Sequence, residues 1–508
     1  MLDGHSLENR SIFLTYKSVG SNMPRSGEHY INSLRDGRTV YLNGEKIINH
    51  VDHPAFSNAI RSVAKLYDYQ ASNTELMTFE TPCGNRVGRA WQLPTSRQIL
   101  AERGDAAYAW ARQSCGWLGR SPDHVASAIT GMITHIKLFD IYSVERADAL
   151  RRYYEFARDK DLYLTYAIVN PQGDRSKSPG EHTRNQFHTL GVVREMRDGI
   201  IVRGAKMLGT AAVLAEEILV AVQNPLKPGV DDKYALSFAL PLNTQGIRIL
   251  ARKSYEATST QLDAPLAHHF DENDAIIFFE DVFVPWERIF VYSNTAMCRQ
   301  QFHGTAAEIL MDTQSQARYA VKLHFLAGLA QRMTQITGIN EFPSVRESLA
   351  NIACHATTIE GLFRSLLHNP IQYGNYFIPN QVLLYACQAF AQTIYPQVIE
   401  IIRKLAGGGV IMLPSSVLDF NNPELNHMIE ATQYSSVTSA IERVKLMKLV
   451  WDAIGSEFGS RHTQYEMFYS GPHFATLARL YGRYDWQNAT DMTSTLLASD
   501  DMMDFRTQ

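Results

Sequence analysis

Leu164-Thr165-Tyr166-Ala167-Ile168-Val169 opens the stretch that decides the fold. Five similar runs follow it. They are Gly199-Ile200-Ile201-Val202-Arg203-Gly204-Ala205-Lys206, Ile218-Leu219-Val220-Ala221-Val222, Ala235-Leu236-Ser237-Phe238-Ala239-Leu240, Ile247-Arg248-Ile249-Leu250 and Ala275-Ile276-Ile277-Phe278-Phe279. β-Branched and aromatic residues dominate them, turn residues separate them, and no helix between them is long enough for a βαβ crossover. Residues 163–293 therefore predict an antiparallel sandwich or barrel. Outward from it the period changes to helical on both sides. In residues 24–162, Tyr30, Ile31 and Leu34 share one helical face. Thr39-Val40-Tyr41-Leu42 runs into Asn43-Gly44, a strong hairpin signal. Longer helices are expected near 55–70, 96–114, 122–138 and 143–159. In residues 294–508, helices are expected at 304–336, 343–368, 380–405 and 435–456, enough for a four-helix bundle. The fold class is α+β: an N-terminal helical domain, a middle β-domain and a C-terminal bundle. Residues 1–23 read as a polar extension.

The chain of 508 residues is long enough for about three domains. It carries 48 Lys+Arg against 52 Asp+Glu, a net charge of −4, with no basic run. That balance argues against a nucleic-acid partner held by bulk charge. Five cysteines, an odd and widely spaced set without C-x-x-C, argue against a disulfide scaffold or zinc ribbon and point to a reducing, cytoplasmic compartment. No apolar run reaches the roughly 18 residues of a membrane span, and the N-terminus lacks a signal-peptide core.

Standard nucleotide, zinc-protease and serine-hydrolase motifs are absent. Gly407-Gly408-Gly409 reads as a helix C-cap and turn. His268-His269 before Asp271 reads as a solvated loop rather than a metal site. Arg120-Ser121-Pro122-Asp123-His124 reads as a helix start, with Ser121 as N-cap, Pro122 at N1 and Asp123 at N2. Arg120 and His124 would flank the positive end of that helix, where donors converge on an anion.

Six ordered segments carry a family resemblance. They are Tyr30–Arg38, Gly116–Asp123, Ala167–Arg175, Phe270–Ala275, Val284–Arg288 and Trp451–Gly459. Together they resemble the oxygenase component of the two-component, FADH2-dependent 4-hydroxyphenylacetate 3-monooxygenase family, and they cover nearly everything after Met23. The resemblance implies an acyl-CoA dehydrogenase-like fold. It implies that Arg120 and residue 124 hold a phenolic oxygen. The family has Tyr where this chain has His124, and His where it has Tyr166, so imidazole and phenol exchange places. Arg120, His124 and Tyr166 are thus the expected catalytic and substrate-binding residues, with His124 as base; Gln223 and Asn224 approach the substrate. Tyr166, Ala167, Ile168, Gln172, Gly173, Asp174 and Arg175 are expected to line FAD, with the Thr210 hydroxyl near flavin N5 or O4. Pro472, His473, Phe474 and Ala475 are expected to touch it, and Gly407–Gly409 to reach the flavin of a neighbouring subunit in a homotetramer.

The implied reaction takes FADH2 from a separate NAD(P)H:flavin reductase. It uses O2 through a C4a-hydroperoxyflavin and hydroxylates a phenol ortho to its hydroxyl, with no resident metal. The segment Glu256–Leu266 is the expected lid, against a plain hairpin connection. Two alternatives stand beside this reading. One is a CoA-thioester dehydratase or isomerase of the same superfamily, needing an iron–sulfur cluster near Cys115 and Cys298. The other is a non-catalytic binding protein on the same fold.

Overall fold

The computed structural model describes residues 23–182 and 184–498. The polar extension and the signal-peptide reading, apart from Met23, lie outside these residues. The helices that frame the site are α1 (Ser57–Ser72), α2 (Arg97–Gln113), α3 (Asp123–Thr134) and α4 (Val144–Asp159), then α5 (Pro265–Phe270), α6 (Ala307–Ile336), α7 (Pro343–His368), α8 (Gln381–Ala406), α9 (Ala440–Ile454), α10 (Glu457–Phe468) and α11 (His473–Tyr481). The strands of the two large sheets are β1 (Val40–Leu42), β2 (Glu45–Ile47), β3 (Leu164–Ala167), β4 (Gly191–Met196), β5 (Gly199–Lys206), β6 (Glu217–Val220), β7 (Leu236–Pro241), β8 (Ile247–Ala251), β9 (Ala275–Pro285) and β10 (Ile289–Tyr292).

One sheet has the order β2-β1-β8-β9-β5-β4 and the other β10-β7-β6-β3. The Asn43-Gly44 hairpin forms with both residues at positive φ, 53° and 84°. Its strand β1 then edges the first sheet, so the middle layer also takes in residues 40–47. Most pairings are antiparallel, as expected, but β1–β8 and β3–β6 are parallel. The parallel pair needs no helical crossover, because the chain leaves β3, forms the β4–β5 hairpin in the opposite sheet, and returns as β6. In β8, Ile247, Ile249 and Ala251 are buried while Arg248 and Leu250 are exposed. The β9 register shifts between Phe279 and Val282, where Asp281 has φ 51°, and both residues still face the core.

Ile218, Val220 and Phe238 meet Val202, Ile249 and Ile277 between the sheets. Leu219, Ala239 and Phe290 pack the outer face of the second sheet against Val125, Ile129 and Tyr153 of α3 and α4. The bundle consists of α6, α7 and α8 with α9 and α10. From Ala307 to Leu323 α6 is buried all round, including its polar residues. It crosses α3 so closely that a Cβ on Gly131 would lie 2.3 Å from the Ala306 carbonyl oxygen. The predicted helix at 435–456 starts at Ala440, and α10, α11 and a helix at Trp486–Ala498 follow beyond the four that the periodicity predicts. Gly407, φ 55°, terminates α8 as the expected C-cap.

Candidate active site

Cys115 and Gly116, at φ 50° and 76°, reverse the chain between α2 and α3. Any Cβ on Gly116 would strike Arg318 and Lys322 backbone atoms near 2.7 Å, so the turn sits directly on α6. It delivers Arg120 to the interior. The Arg120 amide donates to Glu272 Oε1 at 2.5 Å and its carbonyl accepts from Tyr163 Oη at 2.6 Å, fixing the backbone on both sides.

The Arg120 guanidinium is buried. Nη1 donates to His124 Nε2 at 2.8 Å and Nη2 to the Tyr469 carbonyl at 2.8 Å. Its carbon lies 5.4 Å from the Tyr166 ring centroid and 5.1 Å from that of Tyr465. Strand alternation explains Tyr166: Ala167 turns into the sandwich, so Tyr166 faces the helices, its ring 5.5 Å from that of His124. Arg120, His124 and Tyr166 therefore meet as expected. Arginine is always a donor, so His124 Nε2 is unprotonated and Nδ1–H donates to Gln314 Oε1 at 2.9 Å. Burial, then the charge of Arg120, hold His124 well below the usual imidazole range. Burial raises the Tyr166 phenol and Arg120 opposes the rise. Behind them, burial and neighbouring Glu308 push Asp312 up to about 7.

Ser121 does not cap α3. The helix begins at Asp123, with Pro122 at the cap position. Ser121 Oγ instead donates to Asp123 Oδ1 at 2.6 Å and accepts from Gln314 Nε2 at 3.0 Å, so a buried amide takes the lone pair that a cap would offer to a backbone N–H. The Thr210 hydroxyl donates to Asp274 Oδ1 at 2.7 Å. Asp274 also binds Arg461 and Arg252. Thr210 lies between two left-handed residues, Leu208 and Ala211.

The parallel pairing Ala167↔Val220 puts the loops after β3 and β6 at one sheet edge. The expected flavin residues Gln172, Gly173, Asp174 and Arg175 and the expected substrate residues Gln223 and Asn224 leave from there. Lys206 Nζ ties both loops by donating to Asn170 Oδ1 at 2.7 Å and the Ala221 carbonyl at 3.2 Å. Residues 172–175 are exposed, as are Pro472, His473 and Phe474, which follow Tyr469 and the unpartnered buried hydroxyl of Ser470. His188 Nδ1 and Thr189 Oγ1 are likewise unpartnered, and the His188 ring is 3.9 Å from where a Gly173 Cβ would stand. Open loop backbone beside unpartnered polar atoms suits a large ligand with many acceptors.

The segment Glu256–Leu266 belongs to a connection containing α5, not a plain hairpin. It is pinned by Glu256, which accepts from the Asn58 and Ala59 amides at 2.6 and 3.0 Å, and by Asp452, which accepts from the Leu266 amide at 2.8 Å. His268 and His269 lie in α5, not in a solvated loop, and His268 contacts Asn58 and Ser259. Among the described residues no group of three or more His, Cys, Asp or Glu side chains could hold a metal ion. No described helix is long and apolar enough to cross a membrane.

The family models for the N-terminal and C-terminal parts of 4-hydroxyphenylacetate 3-hydroxylase match residues 26–291 and 298–498. This chain belongs to the 4-hydroxyphenylacetate 3-hydroxylase family. It is 35% identical over 453 residues to the 4-hydroxyphenylacetate 3-monooxygenase oxygenase component of Geobacillus sp. (strain PA-9), covering 88% of this chain and 91% of that protein. It is 37% identical over 472 residues to the oxygenase component of 4-nitrophenol 2-monooxygenase from Rhodococcus sp, covering 89% and 87%. The solved oxygenase component of 4-hydroxyphenylacetate 3-monooxygenase, complexed with FAD and 4-hydroxyphenylacetate, superposes with TM-score 0.87 at 31% identity, covering 93% of this chain and 98% of that one. An archaeal 4-hydroxybutyryl-CoA dehydratase, at 19% identity and TM-score 0.84, shares the fold alone.

Gln314, Tyr465 and Tyr469 escaped the sequence analysis. Each sits in or just after an ordinary helical stretch. The only signal for Gln314 was its place in a helix whose polar residues leave no wet face.

Proposed function

We propose that this protein is the oxygenase component of a two-component flavin monooxygenase, hydroxylating a phenol ortho to its hydroxyl. The observation that carries the reading is Arg120: a buried cation whose guanidinium is met by a neutral imidazole, a carbonyl and two aromatic faces, with no carboxylate in ion-pair contact among the described residues. Such a cation favours an anion of matching shape, and a phenolate stacked beside Tyr166 supplies one. Arg120 holds the phenol oxygen and lowers its pKa, which raises the electron density of the ortho carbon. His124 Nε2 takes the phenol proton. Tyr166 packs the ring and donates a hydrogen bond.

Reduced FAD, when bound, activates O2 and supplies the transferred oxygen atom. Tyr166, Ala167, Ile168, the loop Gln172–Arg175, Thr210 and Pro472–Ala475 would hold it, and the Thr210 oxygen keeps lone pairs to accept from a flavin N–H. Gln223 and Asn224 would meet the substrate. The segment Glu256–Leu266 would cover it only by local movement between its pinned ends. A separate NAD(P)H:flavin reductase would deliver FADH2. Exposed Phe474, Tyr481, Leu497, Ile411 and Met412 support a homo-oligomer, read as a tetramer. Five free cysteines support a reducing, cytoplasmic location.

The test supplies chemically reduced FAD and then O2, with no reductase, to the protein and a panel of phenols. A catechol formed in step with flavin oxidation is the expected result. Hydrogen peroxide alone, with every phenol recovered unchanged, rejects the function.

A further inference from the structure

Every hydrogen bond in a chain of buried polar groups behind His124 runs the same way. Arg120 Nη1 donates to His124 Nε2, and His124 Nδ1–H donates to Gln314 Oε1. Gln314 Nε2 donates to Ser121 Oγ at 3.0 Å and to Asp123 Oδ1 at 3.2 Å, and Ser121 Oγ donates to the same carboxylate oxygen. An amide can be turned either way, and its partners decide. Asp123, ionised, accepts only, so it draws the NH2 end of Gln314 and leaves the carbonyl end for His124. Its other oxygen, Oδ2, is buried without a protein partner, as is Gln70 Oε1, and Asp123, Gln70 and Arg103 line one cavity of about 30 Å³. That cavity has room for water, which could donate to Asp123 there.

We propose that Gln314, oriented by Asp123 and Ser121, is the positioning residue that keeps His124 in the tautomer whose Nε2 lone pair accepts the phenol proton. This rests on the reading of Arg120 as the phenolate site. In the resting site Arg120 enforces the same tautomer. Once the phenol oxygen engages Arg120, the hydrogen bond to Gln314 is what remains to hold it. The proton balance is simple. The phenol O–H bond breaks, an N–H bond forms at His124 Nε2, the electron pair stays on the phenol oxygen facing Arg120, and the imidazolium is shared with Gln314 through Nδ1–H. No proton reaches bulk water. With the tautomer reversed, Nε2 already carries hydrogen, and forming the phenolate must expel a proton from the site.

The test needs neither flavin nor turnover. 4-Nitrophenol, whose anion absorbs in the visible, is bound about half a pH unit below its solution pKa, where Asp123 is still mostly ionised. Phenolate absorbance is recorded, and calorimetry in two buffers of different ionisation enthalpy counts released protons. The wild type is expected to show the phenolate band with no net proton release. Gln314→Leu is expected to lose about tenfold of the phenolate population, a shift of about one pKa unit, or to release close to one proton. The swap Gln314→Glu with Asp123→Asn restores an acceptor at Nδ1 and a donor at residue 123, and is expected to recover wild-type behaviour, separating tautomer control from a packing defect. A Gln314→Leu protein matching the wild type in band and proton count overturns the inference, and so does proton release by the wild type. A wild type that binds 4-nitrophenol only as the neutral phenol overturns the Arg120 reading as well. In turnover Gln314→Leu is expected to lower kcat by roughly tenfold with KM little changed.

Discussion

Two buried cation clusters lie on neighbouring faces of α6 and are built in opposite ways. In the bundle, Arg318 and Lys322 both reach Glu466 at 2.6 Å, all three fully buried. Beside the sheet, Arg120 is also buried but meets His124, the Tyr469 carbonyl and aromatic faces instead of a carboxylate. A cation paired within the protein has little left to offer a ligand. A cation held by neutral partners keeps its affinity for an incoming anion, at a cost in stability borne by the rest of the fold. The contrast separates scaffold from site more sharply than burial does, since both clusters are inside.

The largest effect tests the scaffold side. Glu466→Ala strands two buried cations and is expected to destabilise the protein by about 3–5 kcal/mol, read from denaturant midpoints. A loss below about 1 kcal/mol would mean the bundle cluster is not the balanced scaffold described. Next is the candidate site: Arg120→Met is expected to reduce kcat/KM for a phenol by roughly 10²–10³ while leaving thermal stability unchanged or slightly raised. If this variant unfolds instead, the two clusters do not differ in kind. His124→Ala is expected to lower hydroxylation by about a hundredfold with FADH2 binding retained, and equal activity would remove its role as base.

The smallest effect is a difference of sign in pH dependence. Charge pairing with Arg318 and Lys322 overcomes burial and holds Glu466 near a pKa of about 2. Its stabilisation is complete above the unfolded value of about 4.3 and is lost as pH falls toward 2. Burial raises Asp123 to about 6, against hydrogen bonds from Ser121 and Gln314 and the charge of Arg103. Its native carboxyl holds a proton that the unfolded chain releases near pH 4, so its contribution worsens as pH rises from about 4 to 6. The penalty of Glu466→Gln relative to wild type should therefore vanish toward pH 2. Asp123→Asn should gain stability relative to wild type between pH 4 and 6. Melting curves of both variants across pH 2–7 check this, and parallel profiles would contradict it.

Local spacing made much of the fold legible. Asn43-Gly44 announced its turn, the run Ile247–Leu250 the strand β8, and the spacing of 304–336, 343–368 and 380–405 the helices α6, α7 and α8. The Arg120-Ser121-Pro122-Asp123-His124 run marked the candidate site, and its family resemblance named Tyr166 beside it. Local reasoning failed at Ser121, where the rule for helix caps assumes a hydroxyl oxygen free to accept from a backbone N–H, whereas Gln314 Nε2 donates to it. It also could not see Gln314, which looks like any glutamine in a long helix until α3 crosses α6 and its amide meets His124. The parallel pairing of β3 with β6 was hidden for the same reason, since its partners are separated by an entire hairpin of the other sheet.

By itself, then, the sequence determined the order and type of the elements, because residues two, three or four positions apart set which face of a strand or helix is apolar. Only the tertiary structure decided which buried charges find a counter-charge, which loops share a sheet edge and which way the Gln314 amide points. Those depend on distances between segments far apart in the chain, and electrostatics in a dry interior answers to distance in space, not to separation along the backbone.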